Sequence, residues 1–212
     1  MFASWINKSI LLLTIMLLGG CAFSIKAFDK PQKQFYYLNP NKDITAIGRV
    51  ALVELNNESS YPKVSFDITQ ALYSELLKKQ YFGVRPIYQN DAEWKNVQVK
   101  NGSAFSLEQL EFMKNNLNCD AIAVGTVIQY HPYPHLMIGL RLQLIDLRDS
   151  EVIWGMEQIW DSTDKTTQRK IAGYFSGQKT MQNSPLDERL VGLSSIEFLK
   201  FVAFETAETF KK

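Results

Sequence analysis

Three consecutive segments decide the fold: DAIAVGTVIQY (Asp120–Tyr130), LMIGLRLQLID (Leu136–Asp146) and EVIWGMEQIW (Glu151–Trp160). The middle segment alternates leucine or isoleucine with other residues, and a period of two is typical of a half-buried strand. Short turns, HPYPH and LRDS, separate the three segments, and short connections join antiparallel neighbours. We therefore expect a three-strand antiparallel meander with Leu142 in its buried row.

The segments around the meander complete a β-α-β-α-β-β-β-α order. Pro86 cannot donate to a ladder, so the strand that contains it belongs at an edge. Ser106 lies three residues before Gln109, a capping pattern at a helix start. The expected fold is an α/β (α+β) domain, a mixed sheet with helices packed on it. Its remaining elements are a central strand at 47–55, helices at 64–79 and 106–117, a short strand at 84–88, a possible helix at 166–175 and a C-terminal helix at 194–210.

The composition fits one soluble domain with appendages. The chain has 212 residues, 23 basic and 22 acidic side chains, and a formal net charge of +1. Nucleic-acid binding needs a basic footprint, so no nucleic-acid partner is expected. Two cysteines cannot form a disulfide framework.

The first 20 residues are typical of a signal peptide. Lys8 supplies a positive start, and an apolar run follows at Ile10–Leu18. As a helix that run would span roughly 14 Å, under half of a bilayer core of about 30 Å. A cleaved leader over residues 1–20 fits better than a membrane-spanning helix.

The leader ends in Leu18-Gly19-Gly20-Cys21, which resembles the bacterial lipobox. The resemblance implies cleavage before Cys21 and a covalent lipid on its thiol. Ala22 follows instead of Asp, and by the sorting pattern of many such lipoproteins this implies the outer membrane, periplasmic face. A plain secretory signal with an accidental cysteine is the alternative.

Residues 21–45 are predicted to be a lipidated tether, followed by a single domain at 46–212. Pro31 and Pro40 interrupt regular structure in the tether. The cluster Phe35-Tyr36-Tyr37-Leu38 is unusual in a solvated linker. It could fold back on its own domain or dock on a neighbour.

The C-terminal helix has a wider apolar surface than one sheet face needs, because Phe198, Phe201 and Phe204 flank its main stripe. Either the 161–193 segment or a neighbouring subunit must cover them. Aromatic side chains are favoured at interfaces. The candidate partner-binding residues are Phe35, Tyr36, Tyr37, Tyr130, Tyr133, Trp160, Phe198 and Phe201.

No catalytic residue, metal site, small-molecule substrate or cofactor is expected, apart from the lipid on Cys21. His131 and His135 flank two prolines, so their spacing cannot align them on a helix as metal ligands. Cys119 has no nearby histidine and is expected to be a buried, inert thiol.

Asp120–Val127, Leu144–Asp146 and Glu151–Trp154 resemble the domain shared by the N-terminal part of TolB, the curli secretion lipoprotein CsgG and the Pel polysaccharide lipoprotein PelC. The resemblance covers about residues 46–160 and a closing helix. Asn118-Cys119 replaces the usual Gly-Ala, and Ser150 takes the place of the turn glycine. The resemblance implies no catalysis and a role in rings, channels or docking platforms. The turns of the meander are too short for membrane hairpins.

The sequence thus favours a lipid-anchored, periplasm-facing structural or assembly component of an outer-membrane secretion, export or motility apparatus. Its expected partners are the outer membrane and either envelope proteins or further copies of itself. A binding module that regulates a cell-wall or envelope enzyme is the alternative.

Overall fold

The computed structural model describes residues 35–95, 106–176 and 194–210. The strands are β1 (Tyr36–Leu38), β2 (Arg49–Val53), β3 (Asn56–Asn57), β4 (Gly83–Ile87), β5 (Ala121–His131), β6 (Met137–Asp146) and β7 (Val152–Asp161). The helices are α1 (Val64–Lys79), α2 (Ala92–Lys95), α3 (Leu107–Leu117), α4 (Lys165–Ser176) and α5 (Ser195–Glu208), with a 3-10 turn at Ile44–Ala46. The predicted signal peptide and the lipidation site lie outside the described residues.

One mixed sheet of seven strands organises the domain, in the order β1-β7-β6-β5-β2-β4, with β3 paired to β5. The meander β5-β6-β7 is antiparallel, as predicted. β2 is an inner strand, second from the edge, and runs parallel to both β4 and β5. Pro86 lies in β4 at the edge of the sheet, where its missing N–H costs no ladder bond.

Strand β6 has the predicted register. Leu142 is 5% exposed, and Ile138, Leu140 and Leu144 are fully buried with it in the larger core. Arg141 and Gln143 point to the opposite side and are exposed. The alternation therefore follows the pleat, with the apolar row facing the helices.

The predicted tether is too long. Tyr36–Leu38 pairs antiparallel with Trp154–Met156 of β7, so this part of the predicted tether is the first strand of the sheet. Tyr36 and Leu38 pack against the larger core. The strand forms because the aromatic run favours extended structure and its alternate side chains fit the edge of that core.

Three helices cover one face of the sheet. Helices α1, α4 and α5 contribute Ile68, Leu72, Ile171, Phe175, Leu199 and Val202 to the larger core. Ser194 and Glu197 form a capping box at the start of α5. Near the end of α5, Phe210 stacks on Trp154 at 4.2 Å between ring centroids. The C-terminal helix is thereby fixed to the meander.

The other face is covered only in part. Leu110, Met113 and Leu117 of α3 pack on Ile122 and Ile145, at the end of the meander next to β2. Ser106 and Gln109 form the predicted capping box of this helix. No described helix lies over the remainder of this face. Nor is any helix in the described ranges long and apolar enough to cross a bilayer.

Candidate interaction surface

The side of β1, β7 and β6 that no described helix covers carries a mixed surface, here called the open face, made of Phe35, Tyr37, Arg141, Glu157 and Ile159. Phe35, Tyr37 and Ile159 are 50%, 52% and 55% exposed. The Glu157 N–H donates to the Phe35 carbonyl at 3.4 Å, which extends the β1–β7 ladder by one residue. Alternation then places Phe35 and Tyr37 on the side opposite the half-buried Tyr36 and Leu38.

Glycines shape the open face. Gly139 lies opposite Ile159 in the β6–β7 register. A Cβ at Gly139 would lie 3.3 Å from Ile159 Cγ1 and 3.1 Å from Gln129 Cγ, so both side chains lean over the glycine. Gly155 lies opposite Tyr37 in the β1–β7 register. The apolar side chains of the open face therefore project near the edge of the sheet, next to glycines that carry no side chain.

One ion pair lies within the open face. Arg141 Nε donates to Glu157 Oε2 at 2.7 Å across the β6–β7 pair. The hydrogen bond to Glu157 raises the pKa of Arg141, and the same bond lowers the pKa of Glu157. Both side chains are about half exposed. The open face is thus locally neutral, with its two charges paired.

Four of the predicted contact residues are core residues, which corrects the sequence-based prediction. Trp160 is 1% exposed, Phe198 and Phe201 are fully buried, and Tyr130 is 8% exposed. Tyr130 makes an edge contact with Tyr61 at 5.4 Å, and desolvation raises its pKa. They are buried because they lie on the side of the sheet that the helices cover, and no partner is needed to bury them.

Helix α4, within the 161–193 segment, supplies part of the cover expected for the C-terminal helix. The ring centroid of Tyr174 lies 5.9 Å from that of Phe201 and 5.0 Å from that of Phe204. Lys170 Nζ donates to Glu205 Oε2 at 2.6 Å. Phe204 is half-buried, and Lys79 Nζ lies 4.8 Å from its ring centroid. Phe198 and Phe201 of α5 are therefore covered by the chain itself, whereas Ile196 at the start of the helix is exposed.

Tyr133 is the most exposed of the predicted contact residues, at 82%. It lies in the turn between β5 and β6, where the bond to Pro134 is cis. Nearby, His135 Nε2 lies 3.8 Å from Asp161 Oδ2. Over the described ranges, no three His, Cys, Asp or Glu side chains come together as a metal site would require.

A charge cluster fastens the segment after β1 to the β6–β7 turn. Lys42 pairs with Asp149 and donates to Asp146 at 3.2 Å. Arg148 holds both carboxylate oxygens of Asp146, at 2.9 and 2.7 Å. Burial raises the pKa of Asp146, but the hydrogen bonds from Arg148 and Lys42 outweigh it and lower the value to about 2. Asp146 is thus a buried, charged anchor for the N-terminal segment.

A groove of about 530 Å³ runs between α1, α4 and α5, on the side of the sheet away from the open face. Phe66 and Ile196 at its rim are 47% and 59% exposed. Its polar lining includes Glu75, which is 5% exposed and accepts from Lys78 at 2.6 Å. Exposed apolar side chains beside a groove make this surface a candidate site for a protein partner.

Cys119 lines a second cavity, of about 190 Å³, together with Arg49 and Arg85. Burial raises the pKa of the thiol, although both arginines act in the opposite direction. Cys119 is half-buried, so the expectation of a buried thiol holds only in part. A raised pKa keeps the thiol protonated, which is the unreactive form.

Sequence reasoning missed Ile159 and the Arg141–Glu157 pair. The signal for Ile159 was present, because Trp154, Met156 and Trp160 share one side of β7 and leave residues 157 and 159 on the other. Which side would be covered depended on where the helices pack, and the pattern of one strand does not encode that.

No protein-family model matches the chain, and no curated protein matches it. Solved structures do resemble it. The PelC dodecamer from Paraburkholderia phytofirmans is 15% identical, with 78% of this chain and 94% of that chain covered and a TM-score of 0.44. Lipoprotein GNA1162 from Neisseria meningitidis is 14% identical, with 65% and 99% covered and a TM-score of 0.43.

The C-terminal domain of LpoB from Salmonella enterica is 16% identical to this chain, with 53% and 82% covered and a TM-score of 0.40. PelC, one of the proteins whose domain the sequence motifs resemble, is thus among the matches. At these identities and TM-scores the likeness says nothing about function.

Proposed function

We propose that the protein is a lipid-anchored, periplasm-facing structural component of an outer-membrane secretion, export or motility apparatus, and that it works as an oligomer or in a complex with envelope proteins. The observation that carries the proposal is the Leu18-Gly19-Gly20-Cys21 motif behind a short apolar leader. The lipid on Cys21 would anchor the chain to a membrane, since several acyl chains hold far more firmly than one.

The surface of the domain supports an assembly role. Exposed apolar side chains occur on two opposite sides, with Phe35, Tyr37 and Ile159 on the open face and Phe66 and Ile196 at the rim of the helical groove. We assign the groove to protein partners, because Phe66 and Ile196 present exposed apolar surface beside the Glu75–Lys78 ion pair. Interface cores combine such apolar contact with few unpaired charges.

The anchor is tested by growing cells with a fatty-acid analogue and comparing the wild-type chain with Cys21→Ser. We expect the label on the wild type alone, because Cys21 is the proposed acceptor, and we expect the variant to fold but to leave the membrane fraction. A labelled Cys21→Ser chain, or an unlabelled wild type, would contradict the lipid anchor.

The assembly role is tested by purifying the full chain from detergent-solubilised membranes, followed by mass photometry and mass spectrometry. The double variant Phe66→Ser, Ile196→Ser is expected to lose the assembly. Leu77→Ser is the control, since Leu77 is also exposed on α1, at 44%, but does not line the groove. A wild-type chain that is strictly monomeric and brings down no envelope protein removes this proposal.

The second candidate is a module that reaches across the periplasm to regulate a cell-wall or envelope enzyme. It depends on the length of the tether. Because β1 belongs to the sheet, only residues 22–34 precede the described domain, and at about 3.3 Å each they reach roughly 43 Å. Shortening residues 24–33 leaves β1 intact. Full function with the shorter tether would rule this candidate out.

A further inference from the structure

We infer that the open face, together with Tyr133, rests on the phospholipid surface to which the chain is anchored. The inference depends on the proposed lipid at Cys21. To that lipid anchor, the inference adds a surface of the folded domain that contacts the bilayer and so orients the domain. The inference is built from the direction of β1, the chemistry of the exposed side chains and the composition of the segment before β1.

The direction of β1 places the start of the domain beside the β5–β6 turn. β7 runs toward that turn, since Asp161 at its end lies opposite Met137 at the start of β6. β1 is antiparallel to β7, so the chain enters β1 from the same end of the sheet. The end of the sheet that carries Tyr133 is therefore the end at which the anchored segment joins the domain.

The exposed side chains of the open face and of the β5–β6 turn have the chemistry of a membrane interface. Phe35, Tyr37, Ile159 and Tyr133 are each at least half exposed. Tyrosine and other aromatic rings favour the boundary between headgroups and acyl chains, where an apolar body and a polar tip are both satisfied. Arg141 and Glu157 neutralise each other, so docking need not dehydrate an unpaired charge there.

The chain before Phe35 favours lipid over a second copy as the occupant. Only 14 positions separate Cys21 from Phe35, which limits their distance to about 46 Å. Residues 22–34 contain Phe23, Ile25 and Phe28 and carry three lysines against one aspartate. Basic residues next to an anchor are attracted to anionic headgroups, and apolar residues there partition toward the acyl chains. A domain held this close by such a segment meets the bilayer first with the end of the sheet that it enters.

The test uses the mature lipidated chain in vesicles of phosphatidylethanolamine and phosphatidylglycerol, with or without brominated acyl chains. Bromine quenches tryptophan emission on contact. Phe35→Trp reports on the open face, and Phe66→Trp is the matched control at 47% exposure on the other side of the sheet. Both variants exchange one exposed aromatic ring for another. Emission of the wild type, which has the half-buried Trp94 and the buried Trp154 and Trp160, is subtracted.

We expect the added emission of Phe35→Trp to fall by about half in brominated vesicles, because interfacial side chains reach the acyl boundary. The emission of Phe66→Trp should not change. Equal quenching of the two variants, or none in either, overturns the inference while flotation with the vesicles still reports an intact anchor. If Phe35→Trp resists both bromine and aqueous acrylamide, a second copy covers the face and the lipid contact is wrong. A wild-type chain that fails to float overturns the anchor itself and the inference with it.

Discussion

Leu142→Ala tests the register of the meander, because a slip of one residue would exchange the buried and open faces. Leu142 is 5% exposed and lies between Gly125 on β5 and Met156 on β7. Removing three carbons forfeits about 2.5 kcal/mol of transfer free energy. The surrounding sheet backbone limits collapse, so the cavity adds about 1 kcal/mol. We expect a loss of about 3.5 kcal/mol in the free energy of unfolding.

Arg141→Ala is the control, one position along the same strand and on the opposite face. Its ion pair with Glu157 is half exposed, so its loss should cost less than about 1 kcal/mol. Urea unfolding of both variants in a Cys21→Ser chain can be followed by tryptophan emission, to which the buried Trp154 and Trp160 and the half-buried Trp94 contribute. A loss below about 0.5 kcal/mol for Leu142→Ala, or a larger loss for the control, would refute the register.

Two further variants probe the buried charge and the tightest strand contact. The folded-state pKa of Asp146, about 2, lies below its ordinary value of 3.8. Its stabilisation is therefore complete above pH 3.8 and is lost as the pH falls toward 2. Asp146→Asn should lower the free energy of unfolding by roughly 2 kcal/mol at pH 7 and flatten the curve below pH 4, as measured by urea titrations across that range. Gly125→Ala would drive a Cβ into the Arg141 carbonyl oxygen and the Leu142 side chain. We therefore expect a loss of about 2 kcal/mol or more in the free energy of unfolding, measured by thermal unfolding. Adding Leu142→Ala should not restore stability, because the overlap with Arg141 is with its backbone.

The meander and its faces could be predicted because they depend on local alternation, and Leu142 and Arg141 follow that alternation. β1 could not be predicted in the same way. Its three residues carry almost no periodic signal, and its partner β7 lies more than 110 residues away. Tyr36 belongs to the sheet only because an edge and a core surface are available there.

Dependence on tertiary packing also explains why Phe198 and Phe201 were wrongly predicted to be partner contacts. Helix α5 is apolar around most of its circumference, and such a helix is either enclosed by its own chain or covered by a partner. The sequence left both possibilities open for Phe198 and Phe201. The position of Tyr174 on α4 decides between them, and that position follows from tertiary packing.

The fastening of the segment after β1 has a mechanical consequence. Tension applied to residue 35 acts first on the short β1 ladder, and the Asn39 N–H bond to Ile153 at 2.8 Å comes next. The Lys42 bridges to Asp146 and Asp149 follow, and only then would load reach strand β2. A pull on the N-terminal segment is therefore expected to detach the edge strand before it disturbs the inner strands of the sheet.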